Sequence, residues 1–187
     1  MSKFLKMGGS FLSRCHYFWL KMRINEVRMN ELKHEAATTR KILALVPTDK
    51  LTWKPHEKSM HMHSLAKHLA ELPTWVGITL NHDELDFAKP YPKSPDFTTT
   101  AELLAMFEKH IPDAIKVLET VKDEEFGKNW TLRHGEKIFF TMPKAAVLRN
   151  FVFNHVVHHR AQLGVYLRML DVPLPGSYGP TADDAKM

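Results

Sequence analysis

The chain has 187 residues, one cysteine and a net charge of +5 at pH 7, and 44% of its residues are hydrophobic. These values are typical of a single globular domain, and one cysteine excludes a disulfide within the chain. The charge does not indicate a nucleic-acid-binding domain, because residues 1–28 carry six basic side chains against one acidic one, whereas the rest of the chain balances 20 basic with 20 acidic side chains.

Residues 1–28 are predicted to form a basic N-terminal extension that is either loosely ordered or the product of a translation start upstream of Met29. Neither a continuous apolar stretch nor a small-residue cleavage site identifies a signal peptide there. The alternative is a basic amphipathic segment that contacts a membrane or a partner. No apolar run reaches the roughly 18 residues of a membrane span, so we expect no stable membrane insertion and, with the single cysteine, a cytoplasmic protein.

Helical periodicity predicts a first helix over residues 24–46 and a second over residues 60–81. Pro73 lies inside the second helix, so a kink is expected near Leu72. A proline-containing loop over residues 89–95 follows and forms part of a long crossover.

The third helix is predicted to begin at the threonines of residues 98–100, where a threonine can cap it, and to run to Val121 with a kink at Pro112. Between Asn129 and Met142 the hydrophobic period changes from that of a helix to that of strands. The change flanks His134-Gly135 and predicts a small β-hairpin.

The fourth helix is predicted from Met142-Pro143 to Leu170 as one continuous element, with Pro143 in its first turn. The polar tail from Gly176 to Met187 is predicted to be mobile. Four helices with one long crossover, and the hairpin before the last helix, predict an all-α four-helix bundle over residues 29–187.

On a helical wheel of the fourth helix, His155 and His159 lie in the middle of the apolar arc, one turn apart, and face the predicted core. Two imidazoles four residues apart can converge on one metal ion. His68 lies on the apolar face of the second helix and is the candidate third ligand. Substitutes for it are His61, His63 and His82. The alternative is that these histidines are only hydrogen-bonded in the core, although leaving each one unsatisfied would cost roughly 1–3 kcal/mol.

The segment Asn154-His155-Val156-Val157-His158-His159-Arg160-Ala161-Gln162-Leu163 resembles the last-helix signature of the DinB family. Residues 58–75, which contain His68, resemble the second helix of that family, and residues 172–183 resemble the tail of one of its branches. The resemblance covers about residues 29–184. It implies a four-helix bundle that holds a divalent metal with three histidines, at the positions of His68, His155 and His159.

The resemblance also implies the class of activity. Some members of the family are thiol transferases or isomerases that use bacillithiol, mycothiol or glutathione, and others are described only as metal-dependent hydrolases. The expected partners are a small-molecule substrate and a second copy of the chain in a homodimer, with no nucleic acid. Zinc or nickel is the expected metal, with iron or manganese as further candidates, because imidazole suits several of these ions.

Three neutral imidazoles leave at least one coordination position open, which is the pattern of catalytic rather than structural zinc. Such an ion lowers the pKa of bound water or stabilises a thiolate. Because Cys15 lies in the extension, a reacting thiol would have to come from outside the protein. The alternatives are a non-catalytic, metal-stabilised bundle that acts as a sensor or interaction module, and an interaction module without metal.

For other residues near the predicted site the sequence leaves alternative roles open, and it identifies no general base. Glu71 lies one turn beyond the second-helix histidine and could reach the metal. Gln162 and Tyr166 face the predicted core and either line the pocket or only pack there. Arg160 points away from the metal face, which predicts a salt bridge, and Tyr178 could fold back over the pocket.

Phe153 and Val157 lie opposite the metal face, close to the small residues Ala161 and Gly164. An apolar strip on the outer face of a core helix predicts a second helix contact, which self-association would supply. Packing by the hairpin or by the N-terminal extension is the competing explanation.

Overall fold

The computed structural model describes residues 23–90 and 94–184, and it is mainly helical with one small three-stranded sheet. In chain order the elements are α1 (Ile24–Leu43), α2 (Met62–Glu71), α3 (Thr74–Asn81), β1 (Glu84–Asp86), α4 (Thr100–Thr120), β2 (Asn129–His134), β3 (Lys137–Pro143), α5 (Lys144–Leu148) and α6 (Asn154–Met169). The mainly helical prediction is therefore confirmed. Residues 1–22, most of the predicted extension, lie outside the described part.

Helix α1 begins at Ile24, where the helical periodicity placed the start of the first helix, so residues 24–28 of the predicted extension are helical. The backbone N–H of Ile24 donates to an Asp123 carboxylate oxygen at 3.3 Å. The buried side chain of Asn25 donates to the carbonyl oxygen of Leu118 at 2.9 Å. These two contacts hold the start of α1 against the C-terminal end of α4.

Pro73 divides the predicted second helix into α2 and α3, as its chemistry requires, because proline has no backbone N–H to donate. Leu72 and Pro73 both keep right-handed helical dihedral angles, so the chain passes from α2 to α3 without a loop. The hydroxyl of Thr74 donates to the carbonyl oxygen of Glu71 at 2.8 Å. The predicted interruption at Leu72 is confirmed.

Helix α4 begins with a capping box at Thr99. The Thr99 hydroxyl accepts from the backbone N–H of Glu102 at 3.2 Å, and the Glu102 carboxylate accepts from the backbone N–H of Thr99 at 3.1 Å. This confirms the predicted threonine cap and typically contributes about 1 kcal/mol. Pro112 lies inside α4, and the helix continues through it to Thr120.

The predicted hairpin is formed by the antiparallel strands β2 and β3, with Gly135 in the left-handed region at φ 58°. Strand β1 was not among the predicted elements. It pairs in parallel with β2 through Leu85 and Leu132. Only three residues long, β1 is too short to show an alternating pattern. The Asp86 carboxylate, which accepts from the backbone N–H of Gly135 at 2.9 Å, fastens β1 to the hairpin turn.

The last predicted helix is not continuous, and that prediction is corrected. Helix α5 ends at Leu148, a π-helical turn spans Arg149–Phe153, and α6 follows. The N–H of Asn154 donates to the carbonyl oxygen of Arg149, five residues earlier. Because a π turn adds a residue to the helical repeat, a wheel of 100° per residue misplaces the residues before the turn relative to those after it. Pro143 precedes the first turn of α5 and does not lie within it.

The main core lies between α1, α2, α4 and α6, which contact one another in the pairs α1–α4, α2–α4, α2–α6 and α1–α6. Its fully buried leucines are Leu43, Leu65, Leu69, Leu72, Leu103, Leu163 and Leu167. Burial of each leucine contributes roughly 1.5–3 kcal/mol, and their packing sets the position of α2 against α6. None of the helices in the described ranges is long and apolar enough to cross a membrane.

The C-terminal segment predicted as a mobile tail makes specific contacts as far as Asp184. Asp183 forms a salt bridge with Arg168 of α6 and also accepts from the backbone N–H of Leu174 at 2.9 Å. The Thr181 hydroxyl donates to the carbonyl oxygen of Leu174 at 2.7 Å. These contacts position Tyr178 against the helices.

Candidate metal centre

Three histidine side chains meet where α2 packs against α6. The Nε2 atom of His68, from α2, lies 3.3 Å from Nε2 of His155, and Nε2 of His159 lies 2.7 Å from Nε2 of His155. One nitrogen from each ring lies within 4.8 Å of the other two. The three residues that the sequence singled out are therefore brought together by the fold.

The spacing of the three nitrogen atoms suits a small divalent ion. Ligand nitrogens about 2.0–2.1 Å from a tetrahedral zinc ion stand about 3.3–3.4 Å from each other. The distance between His68 and His155 has that value. The 2.7 Å distance between His155 and His159 is shorter, so these two rings would have to separate slightly to share an ion.

Hydrogen bonds on the far side of the rings orient two of the three histidines. The backbone of Phe151 bonds the His155 ring, which partly offsets the lowering of its pKa by burial. Nδ1 of His159 lies 2.7 Å from Oε1 of Gln162. When the outer nitrogen of each ring carries the proton, Nε2 of both rings keeps a lone pair that faces the centre of the group. Two such lone pairs 2.7 Å apart repel unless a cation lies between them, so this tautomer fits a metal ion.

Burial lowers the pKa of each of the three histidines below the ordinary value of 6.5. For His68 the value falls to about 4, first because the ring is desolvated and then because His159 and His155 are close. The three imidazoles are therefore neutral at neutral pH. Neutral imidazole is the form that binds a metal, so no proton has to be displaced.

The three histidines are half-buried and do not lie at the centre of the core, which corrects the wheel interpretation. The buried face of α6 consists of Val156, Arg160, Leu163, Tyr166 and Leu167. The wheel placed Arg160 on the solvent side, because it could not show that an ion pair buries this residue. His155 and His159 therefore lie at the edge of the buried face, where one side of the group meets solvent.

The sequence matches the profile of the DinB family over residues 22–186. The chain belongs to the DinB family. The match spans all of the described residues and includes all three histidines, so the resemblance noted in the sequence is confirmed.

Individual relatives agree with this assignment. An uncharacterised Bacillus subtilis protein, YrdA, is 27% identical over 154 residues, which are 80% of this chain and 85% of that protein. Two crystal structures share the fold. The DinB-like protein YjoA of Bacillus subtilis has a TM-score of 0.61 at 18% identity, over 80% of this chain and 96% of that one. A DinB-like protein from Bacillus cereus ATCC 10987 has a TM-score of 0.60 at 20% identity, over 78% and 92% of the two chains.

Behind the histidines, Arg160 of this DinB chain forms the predicted salt bridge. Its guanidinium contacts the Glu35 carboxylate at 2.7 Å and donates to the Thr39 hydroxyl at 3.1 Å. The Tyr178 hydroxyl donates to Glu35 at 2.8 Å and accepts from Arg160. Tyr178, whose position the sequence left open, therefore binds on the side of α6 away from the histidines.

The remaining predicted site residues have other partners. Gln162 is exposed and orients His159, so its predicted place in the core is wrong, but its role in orienting a ligand side chain is retained. The Tyr166 hydroxyl donates to the carbonyl oxygen of Met60 at 3.2 Å, which is a packing role. Glu71 is half-buried, and among the described residues no carboxylate belongs to the metal-ligand group.

The substitute histidines are also engaged elsewhere. His61 bonds the carbonyl oxygen of Thr52 at 2.6 Å. His63 stacks on Phe97 with 4.4 Å between ring centroids and pairs with Asp96 at 2.8 Å. His82 is exposed. None of the three joins the group formed by His68, His155 and His159.

The apolar strip assigned to self-association is partly used within the chain. Phe153 is 2% exposed and packs in a core cluster that includes Leu32 of α1. The guanidinium groups of Arg28 and Arg149 lie 5.5 Å and 5.6 Å from the centroid of its ring. The sequence could not show this contact, because it depends on how α1 crosses the π turn.

Proposed function

We propose that this DinB-family protein is a metal-dependent enzyme that binds one divalent ion through His68, His155 and His159 and acts on a small molecule. The observation that carries the proposal is the convergence of three neutral imidazoles without a fourth protein ligand among the described residues. A site with three protein ligands keeps a position for water or substrate, whereas a structural site is closed by a fourth ligand. The half-exposure of the rings gives a substrate access to that position.

The residues around the proposed ion have distinct roles. The three histidines hold it, while the Phe151 carbonyl and Gln162 keep the rings of His155 and His159 in the binding orientation. When bound, zinc or nickel, or alternatively iron or manganese, supplies Lewis acidity that lowers the pKa of a coordinated water or thiol.

The proposed reaction is hydrolysis, or transfer of a low-molecular-weight thiol such as bacillithiol, mycothiol or glutathione. The described residues contain no cysteine, so the thiol comes from solution. On α6 the exposed His158 lies beside the group, and its ring centroid is 4.9 Å from that of His159. His158 can accept the proton that water or a thiol releases.

A non-catalytic, metal-stabilised bundle that serves as a sensor is the second candidate. The observation in its favour is that no carboxylate joins the three histidines among the described residues, so a strong general base is missing from the group. The two candidates differ in whether a small ligand can reach the metal, which a ligand titration of cobalt-substituted protein measures.

The first test is the metal content of protein purified without chelator or polyhistidine tag, determined by mass spectrometry. The wild-type chain is compared with a His68→Ala/His159→Ala variant and with a His61→Ala/His63→Ala control that removes two histidines outside the group. We expect about one divalent ion per chain in the wild type and in the control, and none in the first variant. Equal metal content in all three proteins would refute the site.

If the metal is present, the loaded protein is screened with thiol conjugates and hydrolysable esters. Turnover that disappears in the His68→Ala/His159→Ala variant supports the enzyme. In the cobalt-substituted protein, an absorption spectrum that does not change with any added thiol or hydroxamate would indicate the sensor.

A further inference from the structure

The line where α2 and α3 meet α6 and the π turn before it has three successive levels, and we call it the seam. At one end the Tyr166 hydroxyl bonds the carbonyl oxygen of Met60. The three histidines form the middle level. At the other end the ring of Trp75 lies parallel to the ring of Phe151, with 5.9 Å between centroids and 13° between planes. Residue numbers rise along α2 and α3 while they fall along α6, so the two segments are antiparallel and the aromatic level lies directly beside the histidines.

The aromatic level is a cluster of rings with one fully buried member. Phe151 also stacks on Phe140, at 4.8 Å and 23°. Beneath them lies Trp130, which is 0% exposed and whose indole N–H donates to the carbonyl oxygen of Ile78. Trp75, Phe140 and Phe151 are themselves only half-buried. The buried indole holds the outer rings in place, and these rings present apolar surface to solvent.

The connection between the aromatic level and the histidines is direct. The backbone of Phe151 bonds the His155 ring, and the ring of Phe151 stacks on Trp75. One residue therefore contacts both the histidine level and the aromatic level. Phe151 precedes His155 by four residues, about one helical turn, and Trp75 follows His68 by seven, about two turns. The ring cluster therefore lies next to the histidines along the seam.

We propose that Trp75, Phe151 and Phe140 form a subsite for an aromatic or other flat apolar group of the substrate. The group that reacts at the histidines is joined to this apolar group by a linker of a few bonds. Binding sites combine apolar walls with a few polar groups that fix orientation, and the seam offers both within reach of one molecule. Aromatic side chains favour parallel, offset partners of the kind this pair already forms. This inference rests on the proposed metal-dependent function.

The other end of the seam lacks the stacked pair and provides the control. There the ring of Trp53 meets Tyr166 edge-on, at 5.5 Å and 77°, and the Tyr166 hydroxyl is already bonded. Trp53 is half-buried like Trp75, so its replacement removes a similar side chain from the opposite side of the histidines. If the subsite lies at the Trp75 end, replacement of Trp75 lowers the affinity for a ligand with an apolar group. Replacement of Trp53 then leaves that affinity unchanged.

The test compares two hydroxamates, which bind metal ions through the same group, by calorimetric titration of the zinc-loaded full chain. Acetohydroxamate has no arm, and 4-phenylbutanohydroxamate carries a phenyl ring on a short alkyl linker. We expect the phenyl compound to bind at least tenfold more tightly. In Trp75→Leu and Phe140→Leu most of that gain is lost, while the affinity for acetohydroxamate changes less than twofold. In Trp53→Leu the gain remains.

Circular dichroism and zinc content establish that each variant is folded and loaded, and the corresponding change to methionine replaces any variant that is not. Equal affinities of the two hydroxamates for wild-type protein would refute the aromatic subsite and leave the metal site intact. A gain that survives in both Trp75→Leu and Phe140→Leu, or one lost in Trp53→Leu, would also refute it. A zinc-loaded protein that binds neither hydroxamate would refute the proposed function as well, because no open position would exist.

Discussion

The polar side chains on the two sides of α6 differ in how deeply they are buried and in what they bond to. His159 and Arg160 are neighbours in the sequence, yet the histidine is half-buried beside two other histidines, whereas the arginine is 3% exposed and bonded to several partners. Arg160 bonds the carboxylate and carbonyl of Glu35 and the hydroxyl of Thr39. The buried side is a satisfied network that holds α6 on α1. The half-exposed side carries histidine nitrogens that can bind a ligand, which is what a ligand site requires.

This difference predicts which substitutions lower the stability of the fold and which ones remove metal binding. A buried ion pair that loses one partner leaves an uncompensated charge and destabilises the fold strongly. Loss of a half-buried imidazole removes a metal ligand but leaves no buried charge, because the three rings are neutral at neutral pH. Substitutions on the two sides of one helix should therefore have different consequences.

The largest expected effect is on the buried side. Glu35→Ala leaves Arg160 charged and unpaired in the core, so we expect the free energy of unfolding of metal-free protein to fall by about 3–5 kcal/mol in urea denaturation. The matched control is Glu108→Ala, which breaks the exposed pair with Arg40 and should cost no more than about 1 kcal/mol. Similar losses in the two variants would show that the Arg160 network has no special structural role.

The second effect belongs to the histidine side and depends on the metal. His155→Ala should lose the stabilisation that zinc gives the wild type, which is about 2.7 kcal/mol when free zinc is 100 times its dissociation constant. Without zinc, wild type and variant should melt within a few degrees of each other. Melting temperatures with and without zinc provide the measurement, and a zinc-dependent rise that persists in the variant would contradict the assignment of His155.

A smaller effect is expected at Gln162, which contacts the site only through His159. Gln162→Leu should weaken zinc binding about 10–100-fold, since partners that orient metal-ligating histidines typically contribute that much. Competition with a chromophoric chelator measures the dissociation constant. Because Gln162 is exposed, the stability of the metal-free protein should change by no more than about 0.5 kcal/mol. Unchanged zinc affinity would mean that packing alone orients His159.

The smallest effect is expected at Tyr178, whose hydroxyl adds one partner to an ion pair that already exists. Tyr178→Phe should lower the free energy of unfolding by about 1 kcal/mol, the typical net contribution of one hydrogen bond. Zinc affinity should stay the same, because the hydroxyl binds on the opposite side of α6 from the histidines. Weaker zinc binding in this variant would show that the two sides of the helix are coupled.

Local chemistry explains most of what could be predicted. The cap at Thr99, the interruption at Pro73 and the turn at Gly135 each follow from a residue and its immediate neighbours. The elements that were missed have no such local signal. Strand β1 is three residues long, and the π turn at Arg149–Phe153 contains neither proline nor glycine. A wheel drawn through that turn could not give the correct phase for the residues before it.

By itself, the sequence determined which histidines could act together, because residues four apart on a helix share a face, and it determined the family to which the chain belongs. Only the tertiary structure decided that His68 reaches the other two and that the group lies at the edge of the core. The position of the group depends on the burial of Arg160, whose partner Glu35 is 125 residues earlier in the chain. A pattern along one helix cannot contain that information, because burial is a property of the surfaces that meet.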